Sequence, residues 1–451
     1  MYSPRKLKVL LIAFICTQNL LASFSNFQIQ DSLNLSWHNL DESEAYTARH
    51  ENSLVQAGDK FYLMGGRENA RTIDVYDYKS NEWTALENNA PKSFNHFQAT
   101  VYGGLIWVIG AFNTNDYPNE IPEQYIWAFD PTTLKWTKGP EIPGERRRGA
   151  AGPVVFKDNF YVLAGNTKGH NGGFVPWLDS YNPATGEWKI LENAPRSRDH
   201  FFGVVIENNL YAAGGRLSGG QGGTFIPTIA EVDVYDLERN TWRTLPSNQN
   251  IPTPRAGAPT VNFRNHLVVI GGEVKEQEVY GLTRTDALEI TEAYDPRSQE
   301  WSRWPDLNHK RHGTQAIVSG DGIFVLSGST NLGGGRQHNL EALGSKKPEG
   351  KALISSRPKT PKKIRAKGRT KLKIPITLDK GNVGKFIVKI DFFGIGASDF
   401  RSEHDYCDRP IFIKPYTTLH IPILYLGSKK IKPATAKILF SDKTVAEVLI
   451  K

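Results

Sequence analysis

The sequence predicts an all-β molecule: a closed ring of six repeat units followed by a small β-sandwich. Trp37, Trp83, Trp136, Trp188, Trp242 and Trp301 recur at intervals of 46 to 59 residues. Alternating with them, six small-residue pairs each close an apolar run: Gly65-Gly66, Gly110-Ala111, Ala164-Gly165, Gly214-Gly215, Gly271-Gly272 and Ser327-Gly328. Self-similarity at such a period is the signature of a radial repeat. A Trp comes first and a small pair last, so the two series mesh as a ring. The third observation is a change of pattern after residue 373, where short alternating apolar runs continue without the Trp or the small pair.

Within each unit the elements follow a fixed order. A short strand leads to a turn such as Gly58-Asp59, Gly103-Gly104, Asp158-Asn159 or Asn208-Asn209. Four consecutive apolar residues come next, at 61–64, 106–109, 160–163, 210–213, 267–270 and 323–326. Such runs bounded by turns fit strands buried on both faces. The small pair ends the strand where the backbone needs positive φ or a close approach. After a loop of variable length, an alternating strand ends in Tyr76-Asp77, Phe129-Asp130, Tyr181-Asn182, Tyr235-Asp236 or Tyr294-Asp295. A tight turn then delivers the Trp to an outer strand.

Four strands, a small pair, a Tyr-Asp and a Trp about six residues later resemble the kelch repeat. The resemblance covers residues 33–344 and implies a six-bladed β-propeller, each blade a twisted four-stranded sheet. The sixth unit has strands at 312–318, 323–327 and 339–343 but no Trp after them. Residues 36–38, around Trp37, are expected to supply its outer strand, so that a propeller spanning 31–344 is closed by its own N-terminus and leaves no open sheet edge.

Residues 374–451 read as the β-sandwich, with alternating runs at 386–390, 420–424, 436–440 and 445–449 and no helical period. Asp391-Phe392-Phe393-Gly394 followed by Ser398-Asp399-Phe400 resembles the immunoglobulin-like domains at the C-termini of exported bacterial proteins, which implies a spacer or attachment unit. Between the two regions, residues 345–373 hold twelve Lys and Arg against Glu349 alone, more than the whole formal charge of +8. With Pro348, Pro358 and Pro361 this segment is expected to be a solvated linker, able also to touch an anionic envelope surface.

Residues 1–25 have the form of a secretory signal: Arg5, Lys6 and Lys8, an apolar core, and Ser23-Phe24-Ser25 as a small-x-small cleavage site. The apolar run is too short for a span, so no transmembrane segment is expected after cleavage, and the protein is expected to be secreted or periplasmic. Cys407 would then be the single thiol, leaving burial rather than disulfides to stabilise the fold. Nucleic acid is excluded as a partner, because no basic motif is interleaved with aromatics.

Counting back sixteen residues from each small pair gives Arg49, Phe94, Arg148, Arg198, Arg255 and Arg311. In kelch propellers this position faces the central channel, so the resemblance implies an Arg-rich mouth suited to carboxylate, phosphate or acidic peptide. His50, His96, His200 and His312 follow one or two positions later and join these arginines as candidate ligand-binding residues. Four imidazoles could hold a transition metal. They sit in different units, however, and no carboxylate or thiolate spacing singles out a centre, so they are read as hydrogen-bonding groups and no metal or cofactor is assigned. The loops at 112–124, 166–177, 216–229, 273–286 and 331–338 carry the irregular residues from which recognition is normally built.

No catalytic residue is assigned. A galactose-oxidase type of copper and Tyr–Cys cofactor is excluded, since residues 33–344 contain no cysteine. The reading taken is a binding or scaffold protein for a carbohydrate or protein ligand, anionic ligands included. The alternatives are a sugar-processing enzyme resembling the periplasmic sialic-acid mutarotases, with Glu273, Glu120 and His200 as candidate proton-moving groups, and a purely structural envelope component.

Overall fold

A computed structural model describes residues 35–220, 223–366, 370–427 and 431–451. The expected signal segment lies outside these residues. Among them are strands, short 3-10 turns and loops, and no helix long and apolar enough to cross a membrane.

Six antiparallel four-stranded sheets take up residues 37–344. Sheet I consists of Asn52–Ala57, Lys60–Gly65, Ile73–Asp77 and Glu82–Leu86, and sheets II to V repeat it with first strands at Thr100–Tyr102, Gly152–Phe156, Gly203–Ile206 and Thr260–Phe263. In sheet VI, Ala316–Ser319, Gly322–Leu326 and Leu340–Gly344 are completed by Trp37–Asp41, in a register that sets Trp37 opposite Leu343. Each first strand contacts the first strand of the next sheet, and that of sheet VI contacts sheet I, so the six form a ring.

The apolar core is divided among the spaces between successive sheets. Val55, Met64 and Ile73 pack against Phe97, Ile106 and Phe129 between sheets I and II. Leu54, Phe61 and Leu63 meet Phe324, Leu326 and Leu340 where VI returns to I. The periodic aromatics hold the outer rims. Tyr76, Tyr181, Tyr235 and Tyr294 face Trp83, Trp188, Trp242 and Trp301 across the two outer strands. Several Trp Nε1–H groups then donate into the preceding sheet or its exit: Trp301 to Gln249 O at 2.9 Å, Trp242 to Glu192 O at 2.9 Å and Trp37 to Pro305 O at 3.0 Å. This is how a large amphipathic ring buries its body and still satisfies its N–H.

The segment at 345–373 differs from the expected linker. Arg357–Lys359 and Lys363–Ile364 are short strands, and Lys371–Asp379 is a long one that begins inside it. On the last of these, exposed Lys371 and Lys373 alternate with buried Leu372 and Ile374, so the end of the charge run is the solvated face of a strand whose other face is core. The C-terminal residues form a four-stranded and a five-stranded sheet that enclose one cluster including Ile374, Ile421, Ile423, Ile387, Ile438 and Val448.

This two-sheet unit docks on sheets II and III. Phe386 and Phe412 lie 5.1 and 5.2 Å from Trp107, Gly384 N donates to Gly103 O at 2.7 Å, and Phe412 N donates to Pro183 O at 2.8 Å. Gly103 adopts φ of 57°, and a Cβ there would meet the Phe412 ring at 2.5 Å. These contacts are made at the hairpin-turn end of the strands, opposite the end that carries the small pairs.

Candidate functional site

The five repeated arginines are placed inside their own sheets. All are 0–2% exposed. Arg49, Arg198 and Arg311 donate to the carbonyls of Gly65, Gly214 and Ser327, and Arg148 to that of Ala164, in each case the first member of the small pair. Each guanidinium is also paired with a buried acid of the third strand: Asp74, Asp179, Asp233, Glu292 and Glu341 for Arg49, Arg148, Arg198, Arg255 and Arg311. Sheet II is informative because it lacks the arginine. Its third-strand position, two residues before the aromatic that faces the Trp, is Trp127 instead of an acid, and Phe94 packs against it at 6.5 Å. Cation and anion are exchanged together for an apolar pair, as expected of a buried strut. The arginines have no surface left to offer a ligand. The acid at fixed spacing before each aromatic was the sequence signal that identifies their partners.

Two residues beyond each strut lies a ring that does face the axis: Glu51, His96, Ala150, His200, Gly257 and Gly313. All six have positive φ, between 48° and 63°. Backbone hydrogen bonds link neighbours around it, from His96 N to Glu51 O, Ala150 N to His96 O, Gly257 N to His200 O and Gly313 N to Gly257 O, at 2.7–3.0 Å. The left-handed conformation lets the chain turn in to the axis before it starts the first strand. The side chain at this position nevertheless differs from sheet to sheet. With Phe97 and Phe201 these residues line a pocket at the centre of the ring.

Above this layer, the residue after each small pair bridges to the residue after each strut. Arg216 bridges Asp199, Glu273 bridges Ala256, and Ser329 bridges His312. Arg67 pairs with Glu120, and Arg216 with Glu273. His170 comes from the loop after sheet III's second strand, with its Nδ1 3.0 Å from Glu120 Oε1. Glu273 also meets His312 Nε2 at 3.2 Å and accepts from Gly333 N at 2.7 Å. Where a loop was expected at 273–286, Glu273–Val279 and Leu282–Ala287 form a hairpin. Tyr117, 58% exposed, packs against His170 with the ring centroids 5.0 Å apart and the planes tilted by 54°.

Of the predicted site histidines, His50, His96, His200 and His312 all reach this centre. His50 Nδ1 meets Glu68 at 2.9 Å, and His50 and His312 lie 6.4 Å apart. Glu120, Glu273 and His200, proposed from sequence as proton-moving candidates, are there too. His170 and Arg216, which bring two of the charges, were not singled out as ring members because they lie on irregular loops.

The electrostatics follow from burial against pairing. Burial pushes the Glu273 and Glu120 carboxyls up, but the charges of His312 and Arg216 on the first, and hydrogen bonds from His170 and Arg67 on the second, outweigh it and hold each at about 2. Burial carries His96 well below the ordinary imidazole range and also lowers His170, against the pull of Glu120. The site therefore sets two strongly acidic carboxylates among buried imidazoles.

The family model for the Attractin/LZTR1 beta-propeller matches residues 18–274, and that for the Kelch motif matches residues 254–308. Kelch-like protein terF of Aspergillus terreus is 27% identical over 63% of this chain and 62% of its own length. Kelch-like protein 23 of Homo sapiens is 26% identical over 61% of this chain and 45% of its own, and alpha-scruin of Limulus polyphemus 27% over 50% and 24%. The chain thus spans less than two thirds of the length of these relatives. The solved structure of YjhT is similar in fold, with a TM-score of 0.55 at 16% identity over 67% of this chain and 95% of that one. With a match over more than half its length, and with kelch-type sheets arranged around an axis, the chain belongs to the Attractin/LZTR1 beta-propeller family.

Proposed function

We propose that this chain is an exported kelch-propeller binding protein that recognises a carbohydrate or protein ligand through its loop face, at the mouth of the axial site. In this reading the six sheets are six blades, and the C-terminal unit is an immunoglobulin-like sandwich that attaches or spaces the propeller. Kelch propellers commonly mediate protein binding. The observation that carries the proposal is the convergence of Arg67, Glu120, Arg216 and Glu273 at one end of the axis, beside exposed Tyr117 and Ile121. Buried charges in fixed pairs next to exposed aromatic and apolar surface are what a site needs to take a polar ligand with directional groups. The opposite end is partly covered by the C-terminal unit, which supports the loop face as the free one.

A glycan and peptide binding screen on the purified chain tests this. Binding that weakens in Arg67→Ala and Tyr117→Ala, with folding retained, is expected. Ligands that bind all variants equally, or no ligand in either class, would overturn the reading.

A sugar-processing enzyme is the second reading, favoured by the Glu120–His170 and Glu273–His312 pairs, either of which could relay a proton. Following the anomer ratio of sialic acid by NMR separates it from the first: acceleration lost in Glu120→Gln supports an enzyme, and no acceleration leaves the binder.

A further inference from the structure

His96 and His200 hold the same ring position in sheets II and IV, and His170 reaches down to them from a loop. The three imidazoles lie edge to face with centroids 4.8, 5.0 and 5.1 Å apart. One donor atom from each falls within 4.8 Å of the others. All three side chains are buried.

Their outer nitrogens are already engaged. The Nδ1 of His96 lies 2.6 Å from Asn95 Oδ1, that of His200 2.6 Å from Asp199 Oδ1, and that of His170 3.0 Å from Glu120 Oε1. Asp199 is itself fixed by the Ser218 hydroxyl, which donates to it at 2.7 Å. An acceptor oxygen at Nδ1 draws the proton to that nitrogen and leaves the lone pair on Nε2. Three rings on three different segments are thus set in the same tautomer, each by an oxygen from its own surroundings or a neighbouring loop. The inner nitrogens of His96 and His200 are buried with no hydrogen-bond partner. Buried nitrogen acceptors without partners are costly, and two aimed at a third imidazole do not satisfy one another, since acceptor faces acceptor.

We propose that His96, His170 and His200 bind a divalent first-row transition ion of the zinc type through their Nε2 atoms. Imidazole nitrogens suit zinc, copper, nickel and iron, whereas magnesium and calcium take oxygen ligands. Glu51 stands ready as a fourth ligand or as the acceptor for a bound water, with its carboxylate 3.4 Å from His96 Nε2. Nitrogens bound to one tetrahedral ion stand roughly 3.4 Å apart, so the rings close on loading by about 1 Å, a movement the loop-borne His170 can supply. Three imidazoles with an oxygen position to spare match an ion that can take a further ligand better than a closed structural site. The inference does not depend on what the loop face recognises.

The test uses the full chain, stripped with a chelator and titrated with cobalt(II) and with zinc(II). One equivalent should bind, cobalt(II) should develop the strong visible bands of a nitrogen-ligated four- or five-coordinate ion, and zinc should raise the melting temperature. His170→Gln, on a loop where folding is least at risk, should weaken binding by at least about 10-fold, and Asp199→Asn, outside the ligand set, by less. His38→Gln, on the outer strand of sheet VI, should bind as the unaltered chain does. No uptake of either ion, or uptake unchanged in all three of His96→Gln, His170→Gln and His200→Gln, would overturn the proposal. Circular dichroism of each variant tells loss of the site from loss of the fold.

Discussion

Two rings two residues apart in the chain divide the work of this molecule. The outer one, Arg49, Arg148, Arg198, Arg255 and Arg311 with Phe94 in the sixth place, is nearly uniform, buried and paired inside each sheet. The inner one, Glu51, His96, Ala150, His200, Gly257 and Gly313, shares only its backbone conformation. Uniform side chains mark positions where every sheet solves the same packing problem. Uniform backbone with changing side chains marks positions where the scaffold is fixed and the chemistry is free. In a repeat protein the recurrent polar residue is therefore the poorer guide to a site, and the irregular residue beside it the better one.

The largest effect should come from breaking one strut. Arg255→Ala leaves Glu292 buried and unpaired and should cost about 3–5 kcal/mol in urea unfolding. Arg255→Phe combined with Glu292→Trp copies the arrangement of sheet II and should cost less than the single change. A single substitution costing under 1 kcal/mol would mean the arginines are not struts. Trp37→Ala, at the seam where the ring closes, should cost about 3 kcal/mol by the same measurement; full stability would show that sheet VI does not need its N-terminal strand.

The inner ring and its partners should respond to pH. The Glu273 carboxyl is held at about 2 in the folded chain against 4.5 ordinarily. Its stabilisation is thus fully present above pH 4.5 and is lost as pH falls through that value towards 2, a change on the order of 2–3 kcal/mol. Glu273→Gln should flatten this part of the stability profile, and an unchanged slope would place the acid sensitivity elsewhere. The smallest effect belongs to Tyr117→Ala, which should alter stability by no more than about 0.5 kcal/mol while reducing ligand binding.

Much of the architecture was legible because it recurs. The apolar fours, the small pairs and the Tyr and Trp placements repeat often enough to outweigh local ambiguity, and Trp37 could be matched to the one unit missing its Trp. The strands at 357–359 and 363–364 were hidden by charge: a Lys-rich alternation reads as solvated chain until the core that covers its other face is known. The site was legible only in part. His96 and His200 announced themselves by phase, but His170 is brought to them by the path of a loop, and no spacing in the sequence encodes that path. The paired role of the arginines was readable from the acids on the third strands, had these been compared unit by unit.

The pairing of Trp37 with Leu343 has a consequence for biosynthesis. The residue that completes the last sheet leaves the ribosome first and its partner about three hundred residues later, so at roughly 5–20 residues per second the two are separated by roughly 15–60 s. During that interval the nascent chain carries a Trp-bearing strand with nothing to pair with, and an inter-sheet space open on one side. A chain stalled before residue 340 cannot make the junction at all. The ring can close only once residues 340–344 have emerged, so a product interrupted before then exposes its own unfinished edge to whatever holds or removes unfolded chains.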